Sequence, residues 1–274
     1  MNIIEAYILF NEKLIIIISG MSGCGKTFIA KNISEQFNLN YIDQSKYYKP
    51  KYSNSVTLPN GRSVINWYSD DAVDWDKLNN DVNNTKSNGI IIVGFAFPQD
   101  KIKFVPDFHI NISLSKNKCI DNRKLFIERH KDDLPEQYKQ FDPVLEKIKI
   151  NQLEFPYFID IKKRSIINKF INANDINKED LLDQVWDYLI NKIQEFVNWF
   201  NANRFNEWNK NKKNNNNSTD INSVESDSTD DETTQDTQDD DEQDDDDDDQ
   251  DDDDDNIKDG SIEFLYVDDE GNEI

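Results

Sequence analysis

Along the first two hundred residues, short wholly apolar runs alternate with longer stretches in which apolar residues recur every three or four positions. Leu14–Ile18 is the clearest of the short runs: mostly β-branched and too short for a buried helix, it reads as a buried strand. A turn opens at Ser19. From Phe28 to Phe37, apolar residues at Ile29, Ile33 and Phe37 predict a helix. Leu39–Ile42 predicts a short strand ending at Asp43, after which a long polar and aromatic loop carries Pro50, Pro59 and Gly61 and belongs at the surface near the ligand end. A helix is expected over Asp74–Val82, with Gly89 closing its polar extension, and Ile90–Val93 is a second apolar run suited to a buried parallel strand. Phe108–Leu114 alternates as a strand, and a basic helical stretch follows over residues 116–130. Leu134–Leu153 reads as helical with a break near Pro143, and Ile166–Ile171 as a last strand. A long amphipathic helix then begins at residues 177–180 and runs through Val185, Leu189, Ile193 and Val197.

Strands rich in Val and Ile alternating with helices argue for an α/β domain whose mostly parallel sheet is covered on both faces. Ligands on such sheets sit beyond the carboxyl ends of the strands. Gly20 and Asp43 both fall at strand ends, so they can face one site although 23 residues separate them.

The turn after the first strand carries the chemistry. Gly20, Met21, Ser22, Gly23, Cys24, Gly25, Lys26 and Thr27 fit the pattern G-x-x-x-x-G-K-[ST], in which glycines let consecutive N–H groups curl around the β-phosphate of a triphosphate. Lys26 is placed to reach the β- and γ-phosphates and the Thr27 hydroxyl to ligate Mg²⁺, so a nucleoside triphosphate and Mg²⁺ are the expected ligands. The strand before and the helix after supply the context that the pattern requires.

A phosphate loop alone does not separate a motor ATPase, a GTPase and a small-molecule kinase. The base-reading pattern of GTPases has one superficial echo, Asn177-Lys-Glu-Asp180, which opens the final helix and has no apolar strand directly before it. Three other segments bear a likeness to a known group. Asp43-Gln-Ser-Lys-Tyr-Tyr-Lys-Pro50, Asn66-Trp-Tyr-Ser-Asp-Asp-Ala-Val-Asp-Trp75 and Ile90-Ile-Ile-Val-Gly-Phe-Ala-Phe97 follow the phosphate loop in the order and spacing of the P-loop nucleoside kinases. Over roughly residues 14–195 the chain resembles the uridine kinase and nicotinamide riboside kinase members of that family.

The resemblance implies a P-loop NTPase three-layer sandwich with a five-stranded sheet, and transfer of the ATP γ-phosphoryl group to the 5′-hydroxyl of a ribonucleoside. Asp43 matches the family's general base and metal-site organiser, a role suited to a carboxylate beside the γ-phosphate; capping a loop is its alternative. Tyr47 and Tyr48 are candidates to stack on the nucleobase or simply to pack the loop. Arg123 and Arg129 lie in the stretch that resembles the family's lid, whose arginines neutralise the transferring phosphoryl group; otherwise they belong to a solvated helix face. Tyr68 stands where the family has a ribose-binding Asp, Asp70 where it has Pro, and Val93 where several members have Glu. Asp70 or Asp71 is a nearby substitute for the missing carboxylate. Two other readings stay open: a degenerate kinase domain that binds nucleotide and works through its tail, and a nucleoside monophosphate kinase.

Charge divides the chain in two. Residues 214–274 hold 28 of the 55 acidic residues and one of the 31 basic ones, which leaves 27 acids against 30 bases in residues 1–213. The formal charge of −24 therefore describes an appended polyelectrolyte rather than the ligand surface of the domain. Residues 1–210 are read as the kinase-like domain and 211–274 as a disordered Asn/Asp-rich acidic tail, too poor in apolar side chains to offset chain entropy. The tail is either solubilising filler or an arm for basic proteins or divalent cations, and the apolar island Ile262–Val267 is either a peptide motif or a frayed end. Cys24 and Cys119 offer no disulfide framework, and charged residues interrupt the apolar N-terminus before it reaches a membrane-spanning length. These features point to a soluble intracellular, cytoplasmic protein with no membrane or direct nucleic-acid partner.

Overall fold

The computed structural model describes residues 1–129, 131 and 141–210. Strands β1 (Ile15–Gly20), β2 (Asn40–Asp43), β5 (Ile90–Gly94), β6 (Phe108–Ser113) and β7 (Lys169–Asn172) form one sheet in the order β2-β5-β1-β6-β7. Every pairing in it is parallel. Each connection therefore crosses over a face, and the helices that do so bury both sides of β1, whose residues Ile15–Ile18 are all but inaccessible. On one face Ile15 and Ile17 join Ile90 and Ile92 in a cluster with Leu78 and Val82 of α3 (Trp75–Thr85), the helix that Asp74 caps. On the other, α2 (Lys26–Phe37) meets α7 (Lys178–Asn203) through the rings of Phe37 and Trp186.

The expected parallel α/β sheet is present, and several of its boundaries differ from expectation. The N-terminal residues form a helix, α1 (Ile3–Asn11), which period alone did not announce. Its signal is a capping box: the Asn2 side chain accepts from Glu5 N while the Glu5 carboxylate accepts from Asn2 N. This helix buries Tyr7 and Phe10 against Phe108 and Phe200. The loop expected after Asp43 contains an antiparallel hairpin, β3 (Ser55–Thr57) with β4 (Ser63–Ile65), whose three-residue strands are too short to show a period.

Helix α4 (Lys116–Arg129) matches the expected basic helix up to its described end. The expectation over Leu134–Leu153 lies partly outside the described residues. Its described part differs: Pro143 opens α5 (Pro143–Lys149) at the first turn, where its missing N–H costs nothing, under an Asp142 cap. The chain then passes through a π-helical turn, Ile150–Glu154, into α6 (Phe155–Arg164), so helix continues eleven residues past Leu153. The last strand begins at Lys169 rather than Ile166.

The described residues up to Phe200 belong to one compact unit, and residues 201–210 to a second; these ten residues are largely helical, and among them Phe205 and Trp208 stack at 6.1 Å. The tail expected over 211–274 lies outside the described residues. No described helix is long and apolar enough to cross a membrane.

Candidate active site

Strand order fixes where a ligand belongs. The chain leaves β1 for β2 and β5 on one side and then crosses to β6 and β7 on the other, so the carboxyl end of β1 is the switch point where a crevice opens. Gly20–Thr27 occupies that end. Gly23 and Gly25 have φ of 80° and 85°, the left-handed region where a side chain is strained. Gly20 is needed for another reason: a Cβ there would collide with the carbonyl oxygen of Ile112 on β6 and approach Cys24 Sγ to 2.7 Å. The loop is thus pressed against the sheet. Gly25 is the N-cap of α2 and provides no side-chain cap, which leaves the helix N-terminus to an anion.

The cationic and hydroxyl members of the loop are withdrawn from water. Lys26 is 2% exposed, and its Nζ donates to Met21 O at 3.4 Å, a long contact to a loop carbonyl. Thr27 Oγ1 is buried and has no hydrogen-bond partner among the described residues. A buried hydroxyl without a partner among the described residues fits the Mg²⁺ ligand that the motif assigns to Thr27. Among the described residues no group of three or more His, Cys, Asp or Glu side chains could hold a metal, so a cation here would take most of its oxygens from the nucleotide and water.

Beneath the loop, a buried polar chain sets the end of β1. Asn111 donates to Ser19 Oγ at 2.9 Å, and Ser19 Oγ lies 2.8 Å from His109 Nε2. His109 Nδ1 is 2.9 Å from the Ile166 carbonyl, which can only accept, so Nδ1 carries the proton and Nε2 takes the hydroxyl hydrogen of Ser19. Burial pushes the His109 pKa down to about 4, opposed by the Ile166 carbonyl, and the imidazole is neutral.

Asp43 sits at the same end of the sheet, two strands away, in register with Val93. Its Oδ1 accepts from Ser45 N at 2.9 Å and its Oδ2 from the Tyr41 hydroxyl at 3.3 Å. It is buried and caps the 3₁₀ turn Gln44–Tyr47. Gln44, which sequence reasoning passed over, stitches this turn to the end of β5: its Oε1 accepts from Phe95 N at 2.9 Å and its Nε2 donates to Ala96 O at 2.7 Å.

The sequence-derived acceptor residues separate. Tyr47 is a core side chain whose hydroxyl donates to Asp81 at 2.8 Å, with burial first and then that bond raising its pKa. Its ring is taken up by packing rather than offered to a base. Tyr48 packs edge-on to Trp67. Asp71 lies exposed on a short 3₁₀ turn. Asp70 accepts from Arg164 at 2.9 and 3.0 Å and from the Tyr157 hydroxyl at 3.1 Å. Burial raises the Asp70 pKa, but Arg164, Tyr157 and Lys101 together leave it below the usual value.

Tyr68 donates 3.0 Å to Glu154 Oε2. Glu154, fully buried on the π turn, also accepts from Ser22 N of the phosphate loop at 3.3 Å and pairs with Arg123 Nη2. Arg123 reaches Glu146 at 2.9 Å through its other nitrogen, and Lys149 holds Glu146 at 3.1 Å. Burial raises Glu146, while Lys149 and Arg123 more than reverse it, so the group is held below its ordinary pKa. Glu154, Glu146, Tyr157 and Arg164 were not singled out by sequence reasoning. Their one signal is a charged residue set between Leu153 and Phe155 just before Pro156.

Arg129 lies apart from Arg123, at the end of α4. It lines a cavity of about 280 Å³ with Cys24 of the phosphate loop, Lys118 and Asn122 of α4, and Ala173, Ile176 and Lys178 at the turn into α7. Asn122 also donates to Gly23 O at 2.6 Å, tying α4 to the loop.

No family model and no curated protein matches the chain. Among solved structures, a shikimate kinase from Bacteroides thetaiotaomicron is 16% identical, with a TM-score of 0.41 and coverage of 64% of this chain and 98% of that one. A gluconokinase from Sinorhizobium meliloti is 16% identical, with a TM-score of 0.42 and coverage of 67% and 95%. The reading of the loop rests on its own geometry.

Proposed function

We propose that this chain is an ATP- and Mg²⁺-dependent phosphotransferase that passes the γ-phosphoryl group to a hydroxyl of a small ribonucleoside-type acceptor. The observation that carries the reading is the glycine-shaped loop at the switch point, with Lys26 buried inside it and the Thr27 hydroxyl left without a partner among the described residues. In this reading the β- and γ-phosphates lie along the loop, Lys26 neutralises charge that builds between them, and Thr27 contributes one oxygen to Mg²⁺, which supplies electrostatic stabilisation of the transferring group. Asp43 takes the acceptor proton, giving up the Tyr41 hydroxyl as it turns to the substrate. Arg123 supplies the guanidinium for the equatorial phosphoryl oxygens. The cavity beside Cys24 and Arg129 is near the lower end of the size range for small-ligand sites and suits a purine held between α4 and the turn into α7.

The riboside class follows from the resemblance of the Asp43, Asn66–Trp75 and Ile90–Phe97 segments. A second reading has its own support: Tyr68 and Asp70 both give their polar atoms to protein partners, as in a nucleotide-binding protein that has lost transfer and acts through its acidic tail on basic partners. Radiolabel transfer from ATP to uridine, cytidine and nicotinamide riboside, with Lys26→Ala as the control, separates the two. Label in at least one riboside, abolished in the control, is the expected result. ATP binding with no labelled acceptor overturns transfer and favours the second reading.

A further inference from the structure

We infer that Glu154 is an internal stand-in for the transferable phosphoryl group, holding its ligands in place until a triphosphate displaces it, and that it thereby sets the discrimination between nucleoside triphosphate and diphosphate. The inference rests on reading the loop as a triphosphate site, and it does not require that transfer occurs.

Three observations converge on this carboxylate. Ser22 is the third residue of the phosphate loop, and its N–H, a group such loops aim at anions, is donated to Glu154 Oε1 at 3.3 Å. The opposite oxygen takes the Tyr68 hydroxyl and Arg123 Nη2. Glu154 is fully buried, so this is no surface ion pair formed for lack of anything better; the protein has desolvated a negative charge and supplied it with a loop N–H, a hydroxyl and a guanidinium. Those are the kinds of donor that a phosphoryl group also demands.

The surroundings let the carboxylate leave without scattering its partners. Arg123 keeps its second branch on Glu146, which Lys149 also holds, so the guanidinium has an anchor that survives the departure of Glu154. Glu154 closes a π-helical turn, a winding less favourable than α and a common site of local rearrangement. A γ-phosphoryl group brings close to two negative charges toward the same donors, and in a dry site an adjacent carboxylate repels it strongly. Displacement of Glu154 removes that repulsion and frees Arg123 Nη2 and Ser22 N–H for the incoming oxygens. A diphosphate lacks the third group and leaves Glu154 seated.

The test compares binding of Mg²⁺ complexes of ADP and of a non-hydrolysable ATP analogue to the full chain and to Glu154→Gln, by calorimetry. Removing the charge is expected to tighten the triphosphate analogue by about tenfold or more and to change ADP by less than about threefold. Equal changes for both, or weaker binding of the triphosphate, overturn the inference, as does absence of nucleotide binding by either protein. Hydrogen exchange on the unmodified chain keeps the idea open to refutation should the variant not fold. The triphosphate analogue is expected to alter exchange across residues 150–155 and at Ser22 beyond the effect of ADP; identical patterns refute the displacement. A triphosphate-specific result without label transfer to any riboside upholds the stand-in and overturns transfer alone.

Discussion

The two sides of the crevice, a phosphate loop and a side-chain network beside it, are built by different means. The first is one uninterrupted stretch, Gly20–Thr27, pressed on the β6 backbone and underpinned by the buried chain Asn111, Ser19, His109. The second is gathered from residues 68, 70, 123, 146, 154, 157 and 164 on separate elements and held by ion pairs and hydroxyl contacts. Backbone geometry fixes the one; side-chain electrostatics fix the other. A backbone cradle admits few alternative sequences, whereas a network of charges can exchange members while keeping its balance. That difference teaches why the first side announces itself in eight consecutive letters and the second does not.

The largest effect expected on this contrast comes from acid. His109 has its folded pKa depressed from 6.5 to about 4, so the unfolded chain takes up the proton first. Its contribution is complete above about pH 6.5 and is lost as pH falls toward 4, about 2 kcal/mol by pH 5 and about 3 kcal/mol by pH 4. Urea denaturation of His109→Gln beside the unmodified chain at pH 7 and pH 5 checks it. A stability difference that does not change with pH breaks the link between the buried chain and the phosphate loop.

Next in size, Gly20→Ala must move either the β6 carbonyl or the loop and is expected to cost about 1–3 kcal/mol, with loss of nucleotide binding. Gly61→Ala is its counterpart at the hairpin: φ is +81° but no atom of the described residues lies within 4 Å of the added carbon, so about 1 kcal/mol of stability is lost to backbone strain and ATP binding is kept. Thermal unfolding with and without ATP distinguishes them.

In the side-chain network, Tyr68→Phe takes one donor from the buried Glu154 and is expected to cost about 1 kcal/mol by urea denaturation. Asp70→Asn comes last. Asp70 and Arg164 are both partly exposed, so less than about 1 kcal/mol of stability is expected to go, with acceptor KM shifting more than ATP KM. A larger stability loss from Asp70→Asn than from Gly20→Ala would invert the comparison.

Legibility followed the same division. The parallel sheet was readable because Leu14–Ile18 and Ile90–Val93 are apolar without interruption, and the loop because backbone curvature demands glycine at fixed spacing. The helix at Ile3–Asn11 was legible only through its Asn2–Glu5 capping box, and the β3–β4 hairpin through nothing as long as a period. Glu154 was invisible because its meaning comes from Ser22 and Tyr68, 132 and 86 positions away. Tyr47 looked like a base-stacking ring, yet it is buried in the core while its neighbour Tyr48 is half-buried against Trp67, at the end of a 3₁₀ turn that the local letters do not specify.

The wide turn at Ile150–Glu154 bears on how this chain can change over time. A π turn is an α-helix carrying one residue too many, the surplus being absorbed by the wider winding, so deleting one residue within it would restore ordinary winding and leave the helix beyond facing nearly the same way. Tyr157 and Arg164 ride on that same helix. One codon lost there would keep both of these side chains on their present face while shifting Glu154 against Ser22, which makes the segment a single-step route to a changed contact with the loop.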